Sequence, residues 1–419
     1  MFKRPFSRKP NSVHVAGNQA PSDEQRVQIA TALAGLKAQY KLFAGRDFAE
    51  DALIQGGSLS RKAWKCAEEI RRHRALLSCV RTIPIEIWQA IFAVALQYTS
   101  PSERCQTLFA ICAVCCLWRK SATTYPWLWC TLPPLVFPRP NLSNQDSLLE
   151  LYLSRSAGTN LPLSFTFRFE DIPPVQSQKQ HMATLHILMG HSHRWGDVRF
   201  VAGVDVLEAL SALEGKLLSL TAFEFNIVGN SGPGAANQLR DVNFLRGAPK
   251  LRQLKHTRLP EYAGICAIRW SVDLSKIEVY KAETNRDMCY QYLLEAPSSN
   301  LREIDCKSVW IDGFPEQSVT LKHLTKFRLE LRTSTNGTAD ILTHLAFLCL
   351  PALTVLEVYA PYLASQTPVT AAHAIANLIR RSSCSLTLLG IDVARNGPDH
   401  ANLALLSSLC PRLTHISLP

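Results

Sequence analysis

One short pattern, apolar-x-x-apolar-x-apolar, recurs through the chain and constrains its fold more than any other feature. It reads WGDVRF from Trp195, LTAFEF from Leu220, LRQLKH from Leu251, LSKIEV from Leu274 and LREIDC from Leu301. It continues as LTKFRL from Leu324, LTVLEV from Leu353, LTLLGI from Leu386 and LTHISL from Leu413. Successive starts lie 25, 31, 23, 27, 23, 29, 33 and 27 residues apart, with a mean of about 27. Each segment alternates apolar and polar side chains, as a strand with one buried face does. The stretches between, such as Ala371–Arg381 and Ala401–Cys410, carry helix-like apolar periodicity. A unit this short cannot bury its apolar side alone, so neighbouring units must stack.

This spacing lies in the leucine-rich-repeat range of roughly 20 to 29 residues. It predicts an α/β chain whose residues 161–419 form an irregular solenoid with a strand and a helix per repeat. The Asn or Cys expected a few positions after each strand is mostly missing, which makes the repeats irregular. Between the last two apolar positions of the template stands a residue that points away from the core. In seven repeats it is Arg199, Glu224, Lys255, Glu278, Asp305, Arg328 and Glu357. Such alternating charge suits a polar protein or peptide surface better than a lipid or a nucleic-acid strand. Lys255, Glu278, Asp305, Arg328 and Glu357 are therefore candidate target-binding residues, each equally readable as part of a solvated sheet face.

The 419 residues are 47% apolar and 19% charged, a globular balance with room for several domains. The most apolar run, Thr107–Trp118, is about half of the roughly 20 residues a bilayer-spanning helix needs. No membrane span is expected. The basic N-terminus has no apolar segment behind it and does not read as a secretory signal. Thirteen cysteines, an odd number scattered through apolar segments, fit free thiols in a reducing compartment, the cytoplasm or nucleus. Of the net charge of +11, residues 1–81 hold 15 Lys and Arg against 7 Asp and Glu, or +8, leaving +3 for the rest. A nucleic-acid stripe along the large domain is thus disfavoured.

Residues 1–21 read as a basic tail and 22–80 as an amphipathic helical region. Ser22 and Gln25 have capping-box spacing ahead of Ile29, Leu33, Leu36 and Tyr40, which share one helix face. After an interruption at QGGSLS (residues 55–60), a second helix runs from about Arg61 to Cys79, with Ala63, Ala67, Ile70 and Leu77 facing its neighbour. Residues 82–132 form a compact apolar module, and the proline-rich stretch after it opens a linker over 133–160. In the module Pro84 suits a first helical position and Glu86 the positive end of the helix dipole. Ile83, Ile87, Ile91 and Val94 make one stripe, with Trp88 and Phe92 beside it. A second helix offers Leu108, Ile111, Val114, Cys115 and Trp118, and Trp127, Leu128 and Trp129 extend the apolar surface. Some 50 residues cannot bury all of this, and an exposed apolar patch marks a partner site.

The residues Ile83, Pro84, Glu86 and Ile87, then Val114, Cys115, Trp118 and Arg119, then Pro126, Leu128 and Trp129 match the pattern of an F-box in order and spacing. Ile83 replaces the usual leucine, and Cys116-Leu117 stands where basic residues are common. The layout, a basic helix, the box, a short linker and irregular leucine-rich repeats, resembles fungal F-box proteins. That resemblance implies a substrate receptor of an SCF-type cullin–RING ubiquitin ligase. It assigns contact with the Skp-type adaptor to Pro84, Ile87, Ile91, Val114 and Trp118. Glu86 and Arg119 would orient the helices, Trp129 would join the box to the next domain, and the repeats would hold an unidentified target protein. The competing reading is a leucine-rich scaffold outside ubiquitination.

Nothing in the residues points to catalysis. Cys112–Cys116 contains a C-x-x-C with no second pair to complete a zinc site, and its place in a candidate helix favours core packing. His181, His186, His191 and His193 lack companion Cys or carboxylate ligands. Gly229–Gly234 lacks the Lys-Ser/Thr of a phosphate loop and reads as a flexible connection. No metal, no cofactor and no enzyme activity are expected.

Overall fold

The structure, a computed structural model, describes residues 20–49, 60–137, 143–169, 175–228, 240–258, 268–283, 300–309, 318–331, 345–359, 368–392 and 400–417. Most of the basic tail, most of the QGGSLS interruption and the glycine-rich segment 229–234 lie outside the described residues. The chain divides into two compact units, Met1–Leu128 and Trp129–Pro419.

The first unit is helical. Helix α1 (Asp23–Ala44) opens with the capping box formed: Ser22 Oγ accepts from the Gln25 amide at 3.3 Å, and Gln25 Oε1 accepts from the Ser22 amide at 2.9 Å. It closes at Gly45, whose φ of 65° lets its amide donate to the Lys41 carbonyl. Helix α2 (Arg61–Leu76) places Ala63, Cys66, Ala67 and Ile70 in a core with Tyr40, joined by Leu33, Leu36, Ala44 and Phe48. The small residues of α2 let the two helices approach closely. Helix α2 stops three residues before the expected Cys79, and Cys79–Thr82 forms a separate tight turn capped by Ser78.

Three further helices come next: α3 (Ile85–Gln97), α4 (Arg104–Val114) and α5 (Cys116–Thr123). Pro84 stands just before α3 rather than in its first turn, with extended backbone, and its carbonyl accepts from Ile87 and Trp88. The single helix expected over Leu108–Tyr125 is two. Cys115 is fully extended (φ −160°, ψ 171°), ending α4 and capping α5 by accepting the Trp118 amide on its sulfur.

The second unit is a mixed α/β region. Its elements are β1 (Leu135–Phe137), α6 (Ser143–Ser156), β2 (Leu163–Phe169), α7 (Val175–Gly190), β3 (Trp195–Ala202), α8 (Val204–Leu210), β4 (Ala222–Ile227) and β5 (Arg240–Val242). Then come β6 (Gln253–Arg258), β7 (Ile268–Trp270), β8 (Val279–Glu283), β9 (Glu303–Val309), β10 (Val319–Thr320), β11 (Lys326–Leu331) and β12 (Leu348–Cys349). The chain ends through β13 (Val355–Tyr359), α9 (Pro368–Ser382), β14 (Leu388–Asp392), α10 (His400–Leu409) and β15 (His415–Ser417). Eleven of these strands form one sheet in the order β1-β2-β3-β4-β6-β8-β9-β11-β13-β14-β15, with every neighbouring pair parallel.

Residues 133–160, read from the sequence as a linker, hold β1 and α6 and so extend the sheet. Among the described residues, a helix does not accompany every strand. Short strands stand in some of the connections, β5 pairing with β7 and β10 with β12. Val242, Ile268 and Trp270 are β-formers in stretches without helical periodicity.

Two regularities hold the sheet in register. Leu220, Leu251, Ile277, Leu301, Leu324, Leu353 and Leu386 stand two residues before consecutive aligned strand positions, and each is at most 1% exposed. The residue after each one extends the ladder. Its amide donates to the carbonyl one repeat earlier in an unbroken series, Gly196, Thr221, Arg252, Glu278, Arg302, Thr325, Thr354, Thr387 and Thr414. Where that residue is threonine its hydroxyl donates too: Thr221, Thr325, Thr354, Thr387 and Thr414 reach the preceding carbonyl at 2.9–3.1 Å. A buried Arg194 ties the first repeats together, donating to the Ser156 and Leu161 carbonyls at 2.8 and 3.2 Å. At the far end Arg381 of α9 donates to the Leu345 and Leu348 carbonyls.

Because Leu353 is fully buried in this column, Leu353→Ala should lower unfolding free energy by about 2–5 kcal/mol. Thr354→Val, which removes only a side-chain hydrogen bond, should lower it by about 1 kcal/mol. Urea denaturation followed by circular dichroism measures both.

Candidate functional site

Two surfaces, one on each unit, carry the residues singled out by the sequence. On the first, α3 is divided between two faces. Trp88, Phe92 and Leu96 are buried, spaced by four residues, and Trp118 of α5 completes their cluster with ring centroids 4.8 Å from Trp88 and 5.1 Å from Phe92. The other face of α3 shows Ile87, Ile91 and Val94 to solvent, 51%, 44% and 53% exposed. Val114 at the end of α4 is 59% exposed, Pro84 is exposed, and Phe109 and Trp127 are also open. Four of the five predicted adaptor residues are thus on the surface, and Trp118 is half-buried in the aromatic core.

Polar contacts fix these helices. Arg104 donates to the Leu96 carbonyl at 3.0 Å, joining α4 to the end of α3. Arg119 donates to the Cys112 carbonyl at 2.9 Å and holds the bend at Cys115. Among the described residues no hydrogen bond or ion pair engages the Glu86 carboxylate, which stands in the first turn of α3 at the positive end of its dipole. Cys112 and Cys115 of the C-x-x-C are half-buried and the adjoining Cys116 is exposed, so none of the three is a core residue.

On the second unit the outward strand positions line up across the sheet. The register joins Arg199, Glu224, Lys255, Lys281, Asp305, Arg328 and Glu357 in one row. Glu278, expected in this row, lies one residue before β8 and sits between Arg252 and Arg302 at 3.6 and 3.8 Å. The repeat there begins at Ile277 rather than Leu274, a shift of three residues, and Lys281 takes the outward place. The template misses it because Ala282, the matching inward residue, is barely apolar, while LSKIEV fits the pattern better.

Along this row Arg199 pairs with Glu224 at 3.0 Å. Arg328 lies 3.7 Å from both Asp305 and Glu357 and 5.1 Å over the Tyr359 ring. In the adjacent row Glu303 accepts from Lys281 at 2.8 Å and meets Lys326 at 3.1 Å. Partial burial pushes the Glu303 carboxyl up, but the hydrogen bonds and charges of Lys281 and Lys326 outweigh it and hold the group below its ordinary value.

The histidines do not converge on a metal. His181 is buried against Phe169, with ring centroids 4.3 Å apart, while His186 and His193 are exposed. Burial, then the charges of Arg194 and His193, lowers the His191 pKa. Among the described residues no group of three or more His, Cys, Asp or Glu is placed to hold a metal ion, and no single helix is long and apolar enough to cross a membrane. Comparison with models of known protein families finds no match, and no curated protein matches the chain.

A carboxylate with a depressed folded-state pKa stabilises fully above its unfolded value and loses that contribution as pH falls through the folded one. The urea midpoint should therefore drop on acidification below about pH 4.3. Glu303→Gln should flatten that part of the pH profile and lower the midpoint at pH 7.

Proposed function

We propose that this chain is a substrate-recognition subunit of an SCF-type cullin–RING ubiquitin ligase. The observation that carries this reading is the division of α3: its aromatic side is used up in the core while Ile87, Ile91 and Val94 stay open. A helix with three apolar side chains on its solvent face has the form of an anchor for a hydrophobic groove on a partner. Together with the F-box pattern over residues 82–132, that partner is the Skp-type adaptor. Val114 and Pro84 belong to the same surface in this reading, and Trp118 acts by positioning α3 from within.

The second unit is read as an irregular leucine-rich-repeat solenoid, supported by a parallel sheet whose strands follow chain order. Its outward charged row holds the target protein. The chain itself catalyses nothing; ubiquitin transfer occurs on other subunits.

The test is co-purification with a recombinant Skp-type adaptor, comparing the intact chain with Ile87→Asp/Ile91→Asp. The intact chain should bind, and the double variant should lose at least about tenfold in affinity with its circular dichroism unchanged. Trp118→Ala should instead lower unfolding free energy by about 3–5 kcal/mol, since it empties part of the aromatic core. If the intact, folded chain shows no binding, the protein is a leucine-rich scaffold outside ubiquitination.

A further inference from the structure

The charged row on the second unit alternates in sign at every step but one. From Arg199 it runs positive, negative, positive at Lys255, then positive again at Lys281 before Asp305, Arg328 and Glu357 resume the alternation. Lys255 and Lys281 are directly paired in the register of β6 and β8, and like charges facing each other across strands destabilise a sheet. The neighbouring acids are already engaged. Glu224 is held by Arg199 at 3.0 Å, and Glu303 is shared by Lys281 and Lys326. Asp197, two strands away, senses the charge of Lys255 without forming an ion pair with it. Glu283, two residues beyond Lys281, lies in the next row beside Lys307 and Thr257. Among the described residues no hydrogen bond or ion pair engages the Lys255 ammonium, although the side chain is half-buried.

We propose that Lys255, backed by Lys281, is the point where the outward face of the sheet captures a carboxylate from an acidic segment of a partner protein. This deepens the ligase-receptor reading and rests on its assignment of the sheet as the target-holding surface. An incoming Asp or Glu side chain supplies the missing negative charge between the two lysines and restores the alternation on both sides. A carboxylate suits the place better than a phosphate. Each lysine is a point charge, and the amides of β6 and β8 are committed to the parallel ladder, so no cradle of donors awaits three phosphate oxygens.

Fluorescence anisotropy with a labelled Glu-Ser repeat peptide tests this, beside Lys-Ser and phosphoserine-Gly counterparts, at physiological salt. The intact chain should prefer the Glu-Ser peptide. Lys255→Gln should weaken it about tenfold or more. Lys255→Arg should retain binding. Lys250→Gln, which removes the same charge from an exposed turn ahead of β6, should change nothing. Lys255→Gln breaks no ion pair, and its urea midpoint verifies that it stays folded. Equal loss in the Lys250 and Lys255 variants, no preference for the Glu-Ser peptide, or preference for the phosphoserine peptide would overturn the site. Adaptor co-purification of the same proteins separates the two readings. Lys255-dependent peptide binding without adaptor binding keeps this site and sinks the ligase assignment, whereas adaptor binding without Lys255-dependent capture sinks this site alone.

Discussion

The second unit depends on a column of buried leucines, each followed by a residue that hydrogen-bonds to its counterpart one repeat earlier. A sheet that slipped by one residue would turn every inward side chain out, so register is the quantity the fold must protect. Leu220, Leu251, Ile277, Leu301, Leu324, Leu353 and Leu386 protect it by burial, and the threonines after four of them, with Thr414 after Leu413, by a second, hydroxyl hydrogen bond. Once the column is aligned, the outward rows are set automatically, and residues far apart in the chain become neighbours.

The first unit is organised by a different constraint. Trp88, Phe92 and Trp118 fill the space between α3 and α5, and their bulk fixes the rotation of α3. With 3.6 residues per turn, a helix whose positions 88, 92 and 96 face inward must turn 87, 91 and 94 outward. The exposed apolar face is thus a consequence of the aromatic core.

Periodicity and capping are local, which is why much of the fold is legible in the sequence. The Ser22–Gln25 box, the start of α2 at Arg61 and eight of the nine aligned repeat segments are patterns of side chains within a few residues of each other. The same locality explains the errors. LSKIEV matches the template better than the true segment from Ile277, so the pattern assigns Glu278 to the row that Lys281 occupies. The break at Cys115 arises from its extended backbone, which leaves no mark in the apolar pattern, and β1 is hidden in a proline-rich stretch. The alternation of LSFTFRF in β2 carries a strand signal of its own, but its leading Leu163, which pairs with Trp195, stands one residue closer to the strand than the template asks, at a shift in register.

By itself the sequence determined that residues 195–417 form repeated strands with one apolar face, and that α3 carries more large apolar side chains than a small module can hide. Both follow from composition and spacing, which act over single elements. Only the tertiary structure decided which charges share a row, that Lys255 faces Lys281, and that Trp118 lies within the aromatic core while Ile87 and Ile91 are open. Those outcomes depend on the register between strands and the rotation of one helix against another, and both are set by packing between residues that are distant in the chain.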